Sequence, residues 1–453
     1  MNTWAIWAPD LHLDLAGRRA AGVGLRAALE DALREAAAGG NLPPGTRLPS
    51  SRALAADLGL ARNTVAEAYA QLAAEGWLAS RQGSGTTVAQ RSPCAPPEPP
   101  PVRPPAPSYR YDLRSGRPDL DLFPRRDWLA ATRRALDAAP RDALGYSDPR
   151  GRIELRRALA GYLGRVRGVR IDHERLVLCS GYAQGLALLA AVLHADGART
   201  LAVEGYGLAP HHAAISAAGP ATVPLPLDER GARTELLPGL DADAVLLTPA
   251  HQFPTGAPLH PSRRAAAVDW AREADALVIE DDYDGEFRYD RQPLGAVQAL
   301  DPDRVVYAGT ASKSLAPGLR LGWLALPRRL VEPMAEQKAR ADGQSGVIEQ
   351  LALAELIGSG GYDRQVRRAR LHYRRRRDRL AAVPADGPGE EELVARAARR
   401  GLALQSLGEF RHPLLGRGGP DEPSPALVIG YGTPSEGSYA GALAELAALL
   451  AER

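Results

Sequence analysis

The stretch "VVYAGTASKSLAPGLRLGWLALP", Val305 to Pro327, decides how most of this chain is read. It opens on a short apolar run and breaks into hydroxyls and small residues around one lysine, Lys313. It then passes Arg320, seven positions on, and re-enters an apolar run. Apolar runs of this length, bounded by small residues and proline, predict buried strands with a polar turn between them. A lysine at such a strand end is placed for chemistry rather than for packing.

The residues before this stretch repeat its pattern. "RLVLCSG", "TLAVEG", "AVLLTPAH" and "ALVIEDD" are further apolar runs, most of them separated by segments of helical length. That alternation predicts an α/β unit, a largely parallel sheet covered by helices on both faces. Ligands of such sheets sit at the carboxyl ends of the strands, so the residues just after each run are the candidates. The first run leads into "SGYAQGL", where a helix start would aim the N–H groups of Gly181, Tyr182 and Ala183 at an anion. Another ends in the polar turn "TPAHQFPTG", which contains Gln252. The next ends in "EDDYDGEF", three successive acids with Tyr283 behind them, of which the strand must direct at least one into the crevice. The opening stretch adds Lys313, with Arg320 as a phosphate clamp.

Phosphate-binding amides, a carboxylate, a phenol, a lysine and an arginine suit one ligand in particular. Pyridoxal 5′-phosphate (PLP) carries a phosphate, a pyridine nitrogen, a phenolic oxygen and an aldehyde. The lysine forms the Schiff base, and the carboxylate keeps the ring nitrogen protonated, which makes the ring an electron sink.

The first ninety or so residues read differently. Leu25, Leu29 and Leu33 recur at helical spacing up to Gly39-Gly40. "LPPGTRLPSSRALAADLGL" supplies a loop, a serine cap at Ser50 or Ser51 and a short helix. "ARNTVAEAYAQLAAEGW" predicts a third helix, and "WLASRQGSGTTVA" a two-stranded wing. Helix–turn–helix docking needs donor-rich residues where the second helix of the motif begins, and Arg62, Asn63 and Thr64 stand there. Arg47, Ser51 and Arg52 would hold the DNA backbone beside them, and Arg81 with Gly83 would lay the wing on a phosphate strand.

"PCAPPEPPPVRPPAP", Pro93 to Pro107, separates the two parts and predicts a semi-rigid polyproline spacer. The expected organisation is therefore a DNA reader over 1–90, a linker over 91–109, a PLP-binding large domain over 110–345 and a small C-terminal domain over 346–453. With 453 residues and a formal charge of +2, the chain has no global basic field, so DNA contact must be local. Its two cysteines, Cys94 and Cys179, make neither a disulfide scaffold nor a thiolate metal site, and no metal is expected. Without a signal-like start or a long apolar run, the expectation is a cytoplasmic protein with no membrane contact.

Two resemblances carry these motifs further. "GTRLPSSRALAADLGLARNTVAEAYAQLAAEGWLASRQGSGTTV" resembles the winged helix–turn–helix of GntR-type regulators. The order and spacing of the later motifs resemble the fold-type I aminotransferases, and the fusion of the two resembles the MocR group of bacterial regulators. The resemblance implies that Lys313 holds PLP, that Asp281 pairs with its pyridine nitrogen and that Tyr283 approaches its phenolic oxygen. It also implies that the Tyr182 and Ala183 amides, Thr310, Ser312 and Arg320 surround the phosphate. The turn from His251 to Gly256 would close one side of the ring, and Tyr146, in "LGYSDPRG", would reach the cofactor of a second subunit. The implied function is transcription regulation on double-stranded DNA by a homodimer, with reader domains able to swap across. It would sense an amine effector or PLP itself; an aminotransferase with an accessory DNA domain is the alternative.

The chain departs from the pattern in four places. Ala61 stands where relatives carry a serine cap. Leu208, in "EGYGL", takes a tyrosine's place, with Tyr206 nearby as a substitute. The strand "PALVIGYG", Pro425 to Gly432, lacks the arginine that binds a substrate α-carboxylate, and Arg411 and Arg417 lie in a loop. The small domain is reduced. Finally, "RQVRRARLHYRRRRDRL" predicts a helix whose arginines mostly face solvent.

Overall fold

The computed structural model describes residues 23–81, 85–90, 108–287, 295–381, 389–416 and 424–451. The chain divides into two units, Met1–Ala106 and Pro107–Arg453. Most of the expected proline spacer lies outside the described residues.

The first unit holds three helices, α1 (Leu25–Ala38), α2 (Ser51–Leu58) and α3 (Arg62–Ala74), then an antiparallel pair, β1 (Leu78–Arg81) and β2 (Gly85–Val88). Leu29, Leu33, Leu54, Val65, Leu72, Leu78 and Val88 form its core. Ser50 is the cap of α2, its hydroxyl accepting the Ala53 amide at 3.2 Å. Gly59 ends that helix in the left-handed region at φ 64°, which a residue without Cβ adopts freely.

The second unit starts with the short strand β3 (Tyr111–Asp112). It is centred on seven strands: β4 (Leu176–Cys179), β5 (Thr200–Glu204), β6 (Ala221–Leu225), β9 (Ala244–Leu247), β10 (Leu277–Asp282), β11 (Val305–Thr310) and β12 (Gly322–Ala325). A small hairpin, β7 (Leu227–Asp228) and β8 (Gly231–Ala232), hangs beside them. The sheet order is β4-β12-β11-β10-β9-β5-β6, parallel except where β12 runs against β11 and β4. The apolar runs thus form an α/β sheet, with one strand that they did not announce. That strand is β6, "ATVPL", whose Pro224 argues against a central position; it lies at the sheet edge, where a missing N–H is tolerated.

Alternate residues feed two faces. Leu277 and Ile279 pack under the helices Tyr182–Ala195 and Arg328–Ala341, while Val278 packs on the opposite side with Trp270 of Pro261–Glu273. A third cluster, around Leu159, Tyr162, Trp323 and Tyr362, fills the end of that second face. The last residues make a smaller body of helices, Glu390–Arg399 and Glu436–Ala451, with two-residue strands between them. The arginine-rich helix is Gly361–Ala381. Its arginines face solvent except Arg376, which is 2% exposed and pairs with Asp119 and Glu436.

Candidate functional site

A cavity of about 240 Å³ opens at the carboxyl ends of β4, β5, β10 and β11. Lys313, Arg320, Tyr182, Ala183, Asp281, Tyr283, Thr310 and Ser312 all line it. Residues spread over more than 130 positions therefore meet because each follows a strand of one sheet.

The three acids of "EDDYD" separate by strand alternation. Glu280 accepts the Val297 and Gln298 amides at 2.9 Å, and Asp282 pairs with Arg167, both on the face away from the cavity. Asp281 alone points inward. It is 5% exposed, and its Oδ1 has no partner among the described residues. Burial first, then the nearby carboxylates of Asp282, Asp284 and Glu204, push its pKa far above the usual carboxylate range. The buried Tyr182 hydroxyl lies close by, and its interaction with this carboxylate opposes that rise. A buried carboxylate oxygen without a partner, facing a cavity, is suited to a hydrogen-bond donor brought by a ligand.

Lys313 is half-buried, and its Nζ donates to the Gly116 carbonyl. Burial lowers its pKa, against the opposing pull of Asp284 and Asp281. The amine is thus easier to deprotonate than a free lysine, as a nucleophile requires.

The anion cradle differs in detail from the expectation. The helix Tyr182–Ala195 starts after Gly181, at φ 89°, with no side-chain cap. The Gly181 amide is turned back onto the Cys179 carbonyl at 2.7 Å, so it does not serve an anion. The Tyr182 and Ala183 amides stay free at the helix N-terminus. Arg320 lies over this turn and donates to the Ser180 carbonyl at 2.6 Å. A Cβ on Gly181 would come within 2.8 Å of its guanidinium carbon. Arg320 itself holds φ 53°, a strained conformation that concentrates at ligand clamps. Thr310 gives its hydroxyl to the Leu321 carbonyl at 3.0 Å and in turn accepts the Ser312 hydroxyl at 2.8 Å and the Ser312 amide at 3.2 Å, which fixes Ser312 at the cavity edge.

Besides Gly181, two expected residues are not brought to the cavity. Gln252 is 1% exposed beneath the wall, where its amide bonds the Tyr206 and Phe253 carbonyls and Glu204. A side chain so engaged braces the turn, and Phe253 from that turn lines the cavity instead. Tyr146 is fully exposed, away from the cavity of its own chain. Tyr283 does line it, but its hydroxyl is held at 3.1 Å by the His251 carbonyl.

Other lining residues escaped sequence reading. Glu204 is buried, its pKa raised to about 7 by burial despite hydrogen bonds from Thr248 and Gln252. His211 packs against the Tyr182 ring at 4.9 Å, and burial, with His212 and Lys313 nearby, lowers its pKa to about 4, leaving a neutral imidazole. Its only sequence signal is its place one turn into the helix after β5. Tyr206 and Leu208, by contrast already singled out in the sequence, also line the cavity. The Arg411 guanidinium donates to the Gly416 carbonyl and does not line the cavity; Arg417 lies outside the described residues. Lys313 and Arg320 are thus the only Lys or Arg among the lining residues.

In the first unit, Arg62 and Asn63 are exposed at the start of α3, with Thr64 half-buried behind them. Arg52 is exposed at the start of α2, and Ser51 beside it lies outside the cap. Arg47 bridges to Thr87 of β2 and sits over Gly85. Arg47, Arg52 and Arg62 have no carboxylate partner among the described residues, which leaves three guanidinium groups available to phosphates. Arg81 closes β1, but its side chain and Gly83 lie outside the described residues.

Comparison with known proteins gives two family matches. Residues 25–88 match "Bacterial regulatory proteins, gntR family", and residues 111–383 match "Aminotransferase class I and II". The chain is 33% identical to the HTH-type pyridoxine biosynthesis transcriptional regulator PdxR of Corynebacterium glutamicum, over 92% of this chain and 94% of that one. It is 32% identical to the probable rhizopine catabolism regulatory protein MocR of Rhizobium meliloti, over 81% and 78%. Among solved structures, an archaeal alanine:glyoxylate aminotransferase has the same fold, with a TM-score of 0.67 at 24% identity, over 76% of this chain and 91% of that one.

Proposed function

This chain belongs to the MocR-type regulators, in which a GntR-family helix–turn–helix is joined to an aminotransferase class I and II domain, and from that membership we propose a PLP-loaded regulatory switch. The chain is an HTH-type transcriptional regulator. PLP is a property of its aminotransferase-like family; we assign it here to Lys313. The observation that carries the assignment is the orphaned Asp281 Oδ1, facing the same cavity as Lys313, Arg320 and the free Tyr182 and Ala183 amides.

When bound, PLP supplies an electrophilic carbon to amines and an electron sink behind it. The chain's residues do the rest. Arg320, Ser312 and the two amides hold the phosphate, Asp281 keeps the ring nitrogen protonated, and Tyr283 stands near the phenolic oxygen. His211 and Leu208 wall the cavity. Nothing in that wall clamps a substrate α-carboxylate, which supports sensing over turnover. The ligand sensed is an amine or PLP itself. The large domain, 110–345, then acts as the sensor and the small domain, 346–453, as the element that responds.

Arg47, Arg52, Arg62 and Asn63 would meet double-stranded DNA. The fully exposed Tyr146 ring supports a homodimer in which it enters the partner subunit's site, with the proline spacer letting readers cross over. No described helix is long and apolar enough to cross a membrane.

The test is spectral and then functional. Purified chain given PLP should develop visible absorption that Lys313→Ala abolishes, and PLP should alter the shift of the chain's own upstream DNA. A chain that takes up no PLP overturns the cofactor assignment. Steady keto-acid production without specific DNA binding would favour the accessory-domain aminotransferase.

A further inference from the structure

Beside the Lys313 cavity lies a second chamber, of about 470 Å³. Gly116 and Pro317 belong to the walls of both, and the Gly116 carbonyl accepts the Lys313 ammonium. The two spaces therefore adjoin at Gly116 and Pro317. One wall is the segment Gly116–Asp121, and the other comes from Thr433 and Ser435, just before the last helix.

Its charges divide into committed and uncommitted groups. Asp119, 4% exposed, spends Oδ1 on the Asp121 amide at 3.0 Å and Oδ2 on Arg376 at 3.1 Å, with His372 also 3.1 Å away. Thr433 and Ser435 give their hydroxyls to the Arg114 carbonyl and to Ser438. Arg117 is different. Its side chain is 59% exposed, and its pairing is a single contact of 3.1 Å to Asp112. Arg114 already holds that carboxylate through two bonds, at 2.9 and 2.7 Å. Asp121 is exposed, and its carboxylate has no partner among the described residues. The chamber thus offers one underused cation and one free anion, four positions apart on a single wall.

We infer that this chamber receives the zwitterionic end of a diamino monocarboxylic acid whose other amine enters the Lys313 cavity, with Arg117 taking the carboxylate and Asp121 the ammonium. A purely anionic tail would meet Asp121 as a like charge, and a purely cationic tail would meet Arg117, so only the zwitterion satisfies both. The pair also replaces the clamp missing from the strand before the last helix. An occupant would bridge the Gly116–Asp121 segment to the residues entering that helix. Arg376 already ties the same two parts, through Asp119 on one side and the Tyr431 and Gly432 carbonyls on the other.

The inference rests on the PLP assignment, and the experiment separates the two. Full-length chain is loaded with PLP, and loading is checked by its visible band. It is then titrated by calorimetry with lysine, with 1,5-diaminopentane (no carboxylate), with 6-aminohexanoate (no α-ammonium) and with Nε-acetyl-lysine (distal amine blocked). Lysine should bind best, each charge-deleted analogue about threefold to fivefold more weakly, as suits partly exposed pairs, and Nε-acetyl-lysine not measurably. Arg117→Gln should erase the advantage of lysine over 1,5-diaminopentane, and Asp121→Asn its advantage over 6-aminohexanoate. Equal binding of all four, or variants that keep both advantages, would overturn the inference. Failure to load PLP at all would instead overturn the cofactor assignment.

Discussion

Arg167 and Asp282 form a buried ion pair behind the cofactor cavity, with Nε to Oδ2 at 2.6 Å, Nη2 to Oδ1 at 3.1 Å and side chains 3% and 1% exposed. The Tyr307 hydroxyl donates to the same carboxylate at 2.7 Å. Because strand residues alternate in direction, fixing Asp282 on one face fixes Asp281 on the other. The pair is thus what aims the Asp281 carboxylate into the cavity.

Removing one partner leaves an uncompensated buried charge, which costs about 3–5 kcal/mol. Arg167→Met should lower the stability of the second unit by that order in urea unfolding, and the double variant Arg167→Met/Asp282→Asn by clearly less. A single-variant loss under about 1 kcal/mol would remove the pair from this role.

Asp281→Asn should act in opposite directions on stability and on binding. An acid whose pKa is raised by folding binds its proton more tightly in the folded state, so its contribution is fullest below its unfolded pKa and declines as pH rises. Asparagine has no such decline. The cofactor-free variant should therefore gain stability over the parent at pH 8, and the gain should shrink towards pH 5. Its affinity for PLP should fall about tenfold or more, the loss of a charge-assisted hydrogen bond. Unchanged PLP affinity would detach Asp281 from the ring nitrogen.

Lys313 should capture PLP along a pH profile displaced to low pH. The reactive form is the neutral amine, and burial lowers its pKa below the ordinary 10.5. The rate of visible-band formation should rise with pH and reach its half-point below that value. Asp284→Asn should move the half-point lower still, since that carboxylate favours the protonated amine. A half-point at or above 10.5 would contradict the burial argument.

Helix α3 begins at Ala61 without a side-chain cap. A serine there can accept an N–H of the first turn, which typically stabilises by about 1 kcal/mol. Ala61→Ser should raise the thermal midpoint of the first unit and leave that of the second unchanged, as differential scanning calorimetry would resolve. A lowered first midpoint would show that the alanine is there for another contact.

The sequence by itself determined the parts list. Alternating apolar runs specified the parallel sheet, because a strand covered on both faces must be apolar throughout, and so Lys313, Arg320 and "EDDYD" fell at its carboxyl edge. The helix–turn–helix was equally legible from local signals, with the Ser50 cap, Gly59 and the alternation of the two wing strands each acting within a few residues. Tertiary structure decided what those signals leave open. Which of three neighbouring acids faces the cavity depends on Arg167, more than a hundred positions away. The Gly181 amide was lost to a local turn, and Gln252 to three bonds beneath the wall. Arg376 left a run of solvated arginines to join Asp119 and Glu436. Each outcome turns on a hydrogen bond or ion pair between distant segments, which periodicity does not encode and only the packed chain supplies.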